Sequence, residues 1–90
     1  MTKQMHEIKT INPYFSDMWN GNKPFEIRRE DRGYNLGDVL WSREYNPNDN
    51  TYTGREMLCS VDYMIAPGKI AGLSPGYCAM GCEVLQRRTV

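Results

Sequence analysis

Three charged residues at the junction of a predicted helix and a predicted strand have the types and spacing to act on one ligand. Lys23 follows the end of the helix, and Glu26 and Arg28 lie two apart on the strand that begins at Phe25. Residues two apart on a strand share a face, which places these two Cα atoms about 6.6 Å from each other. Arginine offers a planar fork for a phosphate or a base edge, and lysine offers a point charge. The spacing therefore predicts one polar patch.

The same three residues also have a purely structural interpretation. Lys23 can stabilise the carbonyl end of the helix dipole. Glu26 and Arg28 can form an ordinary ion pair, worth under about 1 kcal/mol when exposed. Judged by spacing alone, this structural role is favoured over a binding site.

One short helix and five strands are predicted to position these residues. Asn12 as a cap and Pro13 at the first helical position begin a helix over residues 13–20, and Gly21 ends it in a left-handed conformation. Alternation and turn formers predict the strands at residues 6–9, 25–30, 39–45, 55–65 and 77–85. Gly81, inside the last strand, indicates a bulge or a close approach of another backbone.

The two longest strands are predicted to carry the core. The core-facing positions of the strand over residues 55–65 are Met57, Cys59, Val61, Tyr63 and Ile65, and those of the last strand are Cys78, Met80, Cys82 and Val84. Five short strands in one small chain are best stabilised by curling, which removes exposed edges. The predicted fold is therefore α+β, a small curled β-barrel of about five strands with one short helix packed against it.

Length and composition restrict the classes of protein. Ninety residues form one domain, expected to span residues 1–90 with a core at about 5–85. The net charge of zero argues against a protein that coats long DNA, yet it is compatible with a local basic cleft. Since no run approaches the roughly 20 apolar residues that span a bilayer, and no apolar signal core is found at the N-terminus, a cytoplasmic protein without membrane contact is expected.

The cysteines and the single histidine do not predict a metal site. Cys59, Cys78 and Cys82 are odd in number and lack Cys-x-x-Cys spacing, so they are interpreted as small buried apolar residues. His6 could carry a proton near neutral pH, but near a terminus it is more typical of an ordinary strand residue. Neither a metal nor a bound cofactor is expected.

The order of motifs along the chain resembles the ASCH domains, a family of the PUA-like superfamily. The segment Gly21-x-Lys23-x-x-Glu26-x-Arg28 matches their G-x-K-x-x-E-x-R signature. The surrounding motifs resemble a subgroup of small phage and prophage proteins of unknown function, and the similarity covers residues 5–84. Those motifs are His6-Glu7-Ile8-Lys9, Pro13-Tyr14-Phe15, Asp31-Arg32, Gly37-Asp38 and Tyr52-Thr53-Gly54-Arg55-Glu56.

The resemblance implies a PUA-like β-barrel with a helix against it, and a cleft between the two that binds RNA or a nucleotide. In the family the motif lysine, glutamate and arginine line that cleft, which assigns this role to Lys23, Glu26 and Arg28. With the resemblance added, the cleft is favoured over the structural interpretation. Three weaker candidates for the ligand-binding set are Arg32, Lys9 and Tyr45.

Other basic and aromatic side chains are candidates to extend the site. Arg29, Arg43 and Arg55 could lengthen a basic rim, although each is by default a solvated surface charge. Tyr34, Trp41, Tyr45 and Tyr52 could stack on bases, as in proteins that bind single strands. Packing within the barrel is the alternative for these rings and the favoured one for Trp41.

Two alternative functions remain open. One branch of the ASCH-like proteins removes acyl groups from modified cytidine with the motif lysine and a threonine three residues later, but position 26 here is glutamate, and residues 66–76 are too few for that branch's helical insert. A Lys23–Glu26 pair could still activate water, which would hydrolyse a modified nucleoside. For cleavage of RNA at a 2′-hydroxyl, Glu26 or His6 could act as the base, with Lys23 or Arg28 as the cation. Both kinds of hydrolysis are ranked below binding. The other alternative is a phage protein that binds and inhibits a host or defence protein.

Overall fold

All six predicted elements are present in the computed structural model, which describes residues 3–90. They are β1 Met5–Thr10, α1 Tyr14–Trp19, β2 Phe25–Arg29, β3 Val39–Asn46, β4 Thr51–Ile65 and β5 Tyr77–Thr89. The prediction of a curled, five-stranded α+β fold with one short helix is confirmed. The last two strands are longer than predicted because β4 begins at Thr51, paired with Asn46, and β5 continues to Thr89, paired with Arg55.

The five strands form one sheet in the order β1-β3-β4-β5-β2, with a parallel β1–β3 pair and antiparallel pairs elsewhere. Strands β1 and β2 are therefore the two edges. Arg28 on β2 donates from Nη2 to the Lys9 carbonyl of β1 at 3.0 Å, and Arg32 just beyond β2 donates to the Glu7 carbonyl. The sheet thus curls until its edges face each other, and arginine side chains rather than backbone bonds join them.

Helix α1 packs against the concave side of the sheet. Phe15 and Met18 are buried in the core beside residues of four strands. The helix begins at Tyr14 with Pro13 at the N-cap, one residue later than predicted. Asn12, just before the cap, still bonds to the first turn, since its Oδ1 accepts bonds from the Ser16 backbone N–H at 3.0 Å and from the Ser16 hydroxyl at 2.7 Å. Gly21 ends the helix at φ +82°, as predicted. With six residues, α1 is far shorter than a membrane-spanning helix, and it is the one α-helix in the described chain.

Strand β2 turns its charged face inward. Glu26 is 4% exposed, whereas Phe25 is 44% and Ile27 51% exposed. This reverses the usual arrangement, in which the apolar face of a strand is buried. The reversal places a carboxylate inside the mouth of the barrel, and that carboxylate organises the candidate site.

The prediction of which β4 residues face the core is confirmed as far as Val61 and is wrong at Tyr63. Met57, Cys59 and Val61 are buried, but Tyr63 is 66% exposed. The pairing register with β5 shifts between Val61 and Tyr63, and such a bulge moves the following side chains to the other face. Gly81 lies opposite this bulge, where a Cβ would come within 3.2 Å of the Tyr63 Cβ, so the predicted close approach is confirmed.

The cysteines behave as small apolar residues. Cys59 and Cys78 are buried in the core, and the half-buried Cys82 packs against it. Burial raises the pKa of Cys59 and of Cys82 to about 12 and also raises the pKa of Cys78. The thiolate is the reactive form of cysteine, so burial disfavours the reactive form of all three residues.

Truncating Leu40 should test the core directly. Leu40 lies on β3 between β1 and β4 and is fully buried, so Leu40→Ala should lower the free energy of unfolding by about 2–5 kcal/mol through lost transfer energy and the cavity left behind. Leu36→Ala, at a residue that is 64% exposed, is the matched control and should change it by about 0.5 kcal/mol or less. Urea unfolding followed by tryptophan fluorescence measures both; equal losses would contradict this core.

Candidate functional site

A cleft of about 800 Å³ opens where the two edges of the sheet meet α1. Its walls are the end of β1, the helix, the segment 22–29 and the first residue of β5. The volume lies within the roughly 300–1,000 Å³ that is usual for small-molecule sites. The segment 22–29 contains all three residues of the predicted polar patch.

Glu26 is the centre of this patch. Its Oε1 accepts a bond from Lys23 Nζ at 3.0 Å, and its Oε2 accepts one from Arg28 Nε at 2.8 Å. The Glu26 side chain is only 5% exposed, while those of Lys23 and Arg28 are 16% and 25% exposed. A buried carboxylate is tolerated when both of its oxygens are paired in this way. The structure thus gathers Lys23, Glu26 and Arg28 at one wall of the cleft.

The Arg28 side chain is fixed by three partners in all. Besides Glu26 and the Lys9 carbonyl, its Nη2 donates to Thr10 Oγ1 at 2.9 Å, and that hydroxyl lies 2.8 Å from Ser42 Oγ. Within residues 3–90 its Nη1 makes no hydrogen bond. Lys23 donates to Glu26 and to the Phe25 carbonyl at 2.7 Å, which uses two of its three protons. Lys23 and Arg28 are therefore both held in place, and each keeps at least one hydrogen-bond donor that is not used within the described part of the chain.

The rest of the cleft adds positive charge and flat apolar surface. Cations outnumber carboxylates among its lining residues by four to two: Lys9, Lys23, Arg28 and Arg29 against Asp17 and Glu26. Three aromatic rings also line it: Tyr14, Phe25 and Tyr77. Tyr14 is 52% exposed, and the Arg29 guanidinium lies 5.4 Å from the Tyr77 ring centre. The wall that lies next to the cations is thus aromatic.

Helix α1 is held over the cleft by a second buried carboxylate. Glu44 accepts bonds from Arg55 Nε at 2.9 Å and Nη2 at 2.6 Å, from Asn12 Nδ2 at 2.6 Å, and from the Thr53 hydroxyl. Arg55 also donates to Ser16 Oγ at 3.0 Å. These bonds tie both ends of the first helical turn to β3 and β4. Arg55 is therefore a structural residue outside the cleft lining.

The weaker candidates separate into two groups. Lys9 lines the cleft, whereas Arg32 and Tyr45 do not. Arg32 joins the sheet edges through the Glu7 carbonyl, and its side chain is 43% exposed. Tyr45 lies on the outer face of the sheet, with Lys9 Nζ 4.2 Å from its ring centre. Arg43, Trp41 and Tyr52 share that outer face, and Tyr34 is buried in the core.

His6 forms a buried structural pair instead of a site in the cleft. Its Nε2 lies 2.9 Å from Asp38 Oδ2, and its ring meets Tyr34 edge-on. Asp38 also accepts bonds from the backbone N–H groups of Gln4 and Asn35. Burial alone would raise the pKa of Asp38, but these hydrogen bonds outweigh it and lower the pKa. In residues 3–90 no three His, Cys, Asp or Glu residues are grouped to hold a metal ion.

Sequence reasoning missed several lining residues. Thr10, Tyr14, Phe25 and Tyr77 all line the cleft. A polar residue at the end of a strand and aromatic residues on short elements carry no signal that tells the cleft side from the solvent side. The one available hint was the reversed polarity of β2.

The family of the chain follows from sequence comparison. A model described as "Domain of unknown function (DUF3850)" matches residues 5–82. The chain belongs to this family. The chain is also 35% identical to the "Uncharacterized 12.9 kDa protein in GpA 3'region" of Escherichia phage P2. The aligned segment has 57 residues, which make up 63% of this chain and 50% of that protein.

The chain thus spans half the length of this curated relative, whose name assigns it no activity. The predicted similarity to phage proteins of unknown function is confirmed. The more specific assignment of this DUF3850 member to the ASCH domains stays a prediction.

Replacing Glu44 by glutamine should destabilise the protein strongly at neutral pH and less as the solution is acidified. Arg55 holds the pKa of Glu44 at about 2, below the ordinary 4.5. The carboxylate therefore stabilises the fold fully above about pH 4.5 and loses this contribution, roughly 3 kcal/mol, as the pH falls towards 2. Urea unfolding at pH 7, 4 and 3 should show that the difference in free energy of unfolding between wild type and Glu44→Gln becomes smaller as the pH falls.

The matched control is Glu83→Gln, at an exposed glutamate of β5. Glu83→Gln should differ little from wild type in free energy of unfolding, and this difference should not become smaller as the pH falls. A difference between wild type and Glu44→Gln that stays constant from pH 7 to pH 3 would contradict the ion-paired carboxylate.

Proposed function

We propose that the cleft binds a nucleotide or a segment of single-stranded RNA through a phosphate and an unstacked base. The observation that carries this proposal is the fixed pair of cations, Lys23 and Arg28, beside an aromatic wall in a cleft of about 800 Å³.

The phosphate is taken by the donors that the protein leaves free. Arg28 keeps its Nη1 group, and Lys23 keeps one proton. Because Glu26 and β1 already hold the Arg28 side chain, little side-chain entropy is lost when a phosphate binds. Charge-assisted bonds of this kind are about twice as strong as neutral ones.

The base is taken by the aromatic wall. Tyr14, Phe25 and Tyr77 offer flat faces, and each base stacked on an aromatic ring contributes about 1–3 kcal/mol. Stacking of this type needs an unpaired base, which favours a nucleotide or a single strand over a duplex. The G-x-K-x-x-E-x-R signature supports the proposal further, because the resemblance to ASCH domains assigns its three charged residues to an RNA- or nucleotide-binding cleft.

Binding is preferred over hydrolysis on the geometry of Glu26. A general base needs an oxygen free to receive a proton from the nucleophile. Each Glu26 oxygen already accepts a bond from a cation, at 3.0 and 2.8 Å, and the side chain is only 5% exposed, so little of the carboxylate is presented to a nucleophile. The carboxylate is placed to orient Lys23 and Arg28 rather than to abstract a proton.

Replacing Lys23 by alanine should weaken binding of a short RNA. A fluorescein-labelled 8-nucleotide oligouridine is titrated with protein at 50 and 150 mM salt, and uridine monophosphate serves as an unlabelled competitor. Lys23→Ala should raise the Kd about tenfold at 50 mM salt, because one charge-assisted contact is lost. It should also reduce the slope of log Kd against log salt concentration by about one, as expected for the loss of one phosphate contact.

Lys69→Ala is the control, since Lys69 is an exposed lysine that does not line the cleft. It should leave the Kd unchanged. Wild-type protein that binds neither ligand, or binding that Lys23→Ala leaves intact, would refute the proposed function.

A further inference from the structure

Lys9 belongs to two surfaces of the protein. It lines the cleft, and its Nζ also lies over the ring of Tyr45 on the outer face of the sheet. The alternation of β1 explains this double position: Ile8 and Thr10 point into the barrel, while Lys9 points out at the edge. The cleft therefore continues over the edge of β1 without a barrier of another element.

Beyond Lys9 the outer face carries rings and cations in direct contact. The rings of Tyr45 on β3 and Tyr52 on β4 meet edge-on at 5.2 Å. The Arg43 guanidinium lies 3.8 Å from the Tyr52 ring centre and 5.3 Å from that of Trp41. We name Lys9, Tyr45, Tyr52, Arg43 and Trp41 the outer track.

Arg43 is held rigidly within this track. Its Nη1 bonds to Glu7 Oε2 at 2.8 Å, and its Nε bonds to Glu56 Oε2 at 3.0 Å. Glu56 also accepts a bond from Trp41 Nε1 at 3.0 Å. A guanidinium with a fixed plane is a platform for a base in the same way as an aromatic ring is.

The track ends in a hollow of about 270 Å³ beside Trp41. Apolar side chains, those of Met5 and Leu58 among them, form most of its wall, and Gln86 and Arg88 add polar groups. This volume falls below the usual range for a small-molecule site. The hollow suits one unit of a longer ligand better than a separate small molecule.

No element of the described residues covers the outer track. The one helix packs on the opposite side, where Phe15 and Met18 enter the core. Tyr52 is 39% and Met5 58% exposed, and Trp41, Arg43 and Tyr45 are half-buried. Across this face, the cations Lys9, Arg43 and Arg88 outnumber the carboxylates Glu7 and Glu56.

We propose that the ligand of this protein is a single strand of several nucleotides, which runs from the cleft over β1 at Lys9 and along the outer track to the hollow beside Trp41. This inference rests on the proposed function of the cleft. Stacking platforms interleaved with a few cations are the chemistry that binds an unpaired strand. A mononucleotide fills the cleft alone, whereas a strand also contacts the track.

The test measures how affinity depends on the length of the oligonucleotide, and how that dependence changes when the cleft or the outer track is mutated. Uridine monophosphate and oligouridines of 2, 4, 8 and 12 nucleotides are titrated at 50 mM salt by competition against the labelled 8-mer. Affinity should rise with length until cleft and track are both filled. Tyr52→Ala should weaken the 8-mer about tenfold, as expected for the loss of one stacked base, and should leave the mononucleotide unchanged, whereas Lys23→Ala should weaken both.

Two further variants keep the result interpretable. Tyr63→Ala is the matched control, because Tyr63 is an exposed tyrosine of the same strand that lies outside both surfaces. Met5→Glu places a negative charge at the far end of the track without touching the core, and it should weaken only the 8-mer and 12-mer. Circular dichroism and the unfolding midpoint show that each variant is folded.

The outcomes separate the two proposals. If the mononucleotide and the 8-mer bind equally, and Tyr52→Ala and Met5→Glu change neither, the outer track is refuted while the cleft stands. If the wild type binds no nucleotide of any length, both proposals fail. If the track variants abolish capture of a protein from nuclease-treated lysate while RNA binding is intact, the track is a protein-binding surface and the inference is overturned.

Discussion

The buried carboxylate of Glu26 is the constraint on which the site depends. A carboxylate taken out of water must be paired, and it is paired by Lys23 on one oxygen and Arg28 on the other. Pairing fixes the direction of Arg28, whose second nitrogen then reaches the carbonyl of Lys9 on the facing strand. Glu26 thus positions two of the four cations of the cleft, and through Arg28 it joins the edges of the sheet. The apolar residues of β2 are displaced outward as a consequence, and Phe25 becomes part of the cleft wall.

Closure through side chains is what leaves space for a cleft. Had β1 and β2 paired through their backbones, the strands would lie about 4.8 Å apart and a complete barrel would leave no opening there. Instead Arg28 and Arg32 reach alternate carbonyls of β1, those of Lys9 and Glu7. The long guanidinium side chains satisfy the edge carbonyls, which would otherwise invite pairing with another chain, while they hold the two strands at a distance. The open edge and the cleft are therefore the same feature.

The sequence was sufficient for the elements and insufficient for the geometry between them. Alternation and turn residues located every strand to within a few residues, and Gly21 and Gly81 marked the end of the helix and the bulge. Tyr63 was assigned to the core because a bulge shifts the phase of alternation without a signature beyond one glycine. Arg32 was grouped with the cleft as a possible rim cation and Tyr45 as a possible stacking ring, and residue type alone does not tell which surface either side chain lies on. Which face of a curled sheet is concave, and which edge residues meet, depends on long-range pairing that local patterns do not encode.

The neutral composition of the chain conceals an asymmetry in where its charges lie. Four of its 11 acidic residues are buried, namely Glu26, Asp38, Glu44 and Glu56, whereas none of its 11 lysines and arginines is. Each buried carboxylate is engaged by internal donors, so it is not available at the surface to repel a phosphate. The solvent-facing charge is consequently biased towards cations even though the formal sum is zero. Recognition depends on where charges lie rather than on their total, and here the fold itself produces the bias by placing carboxylates inside and their basic partners at the rim.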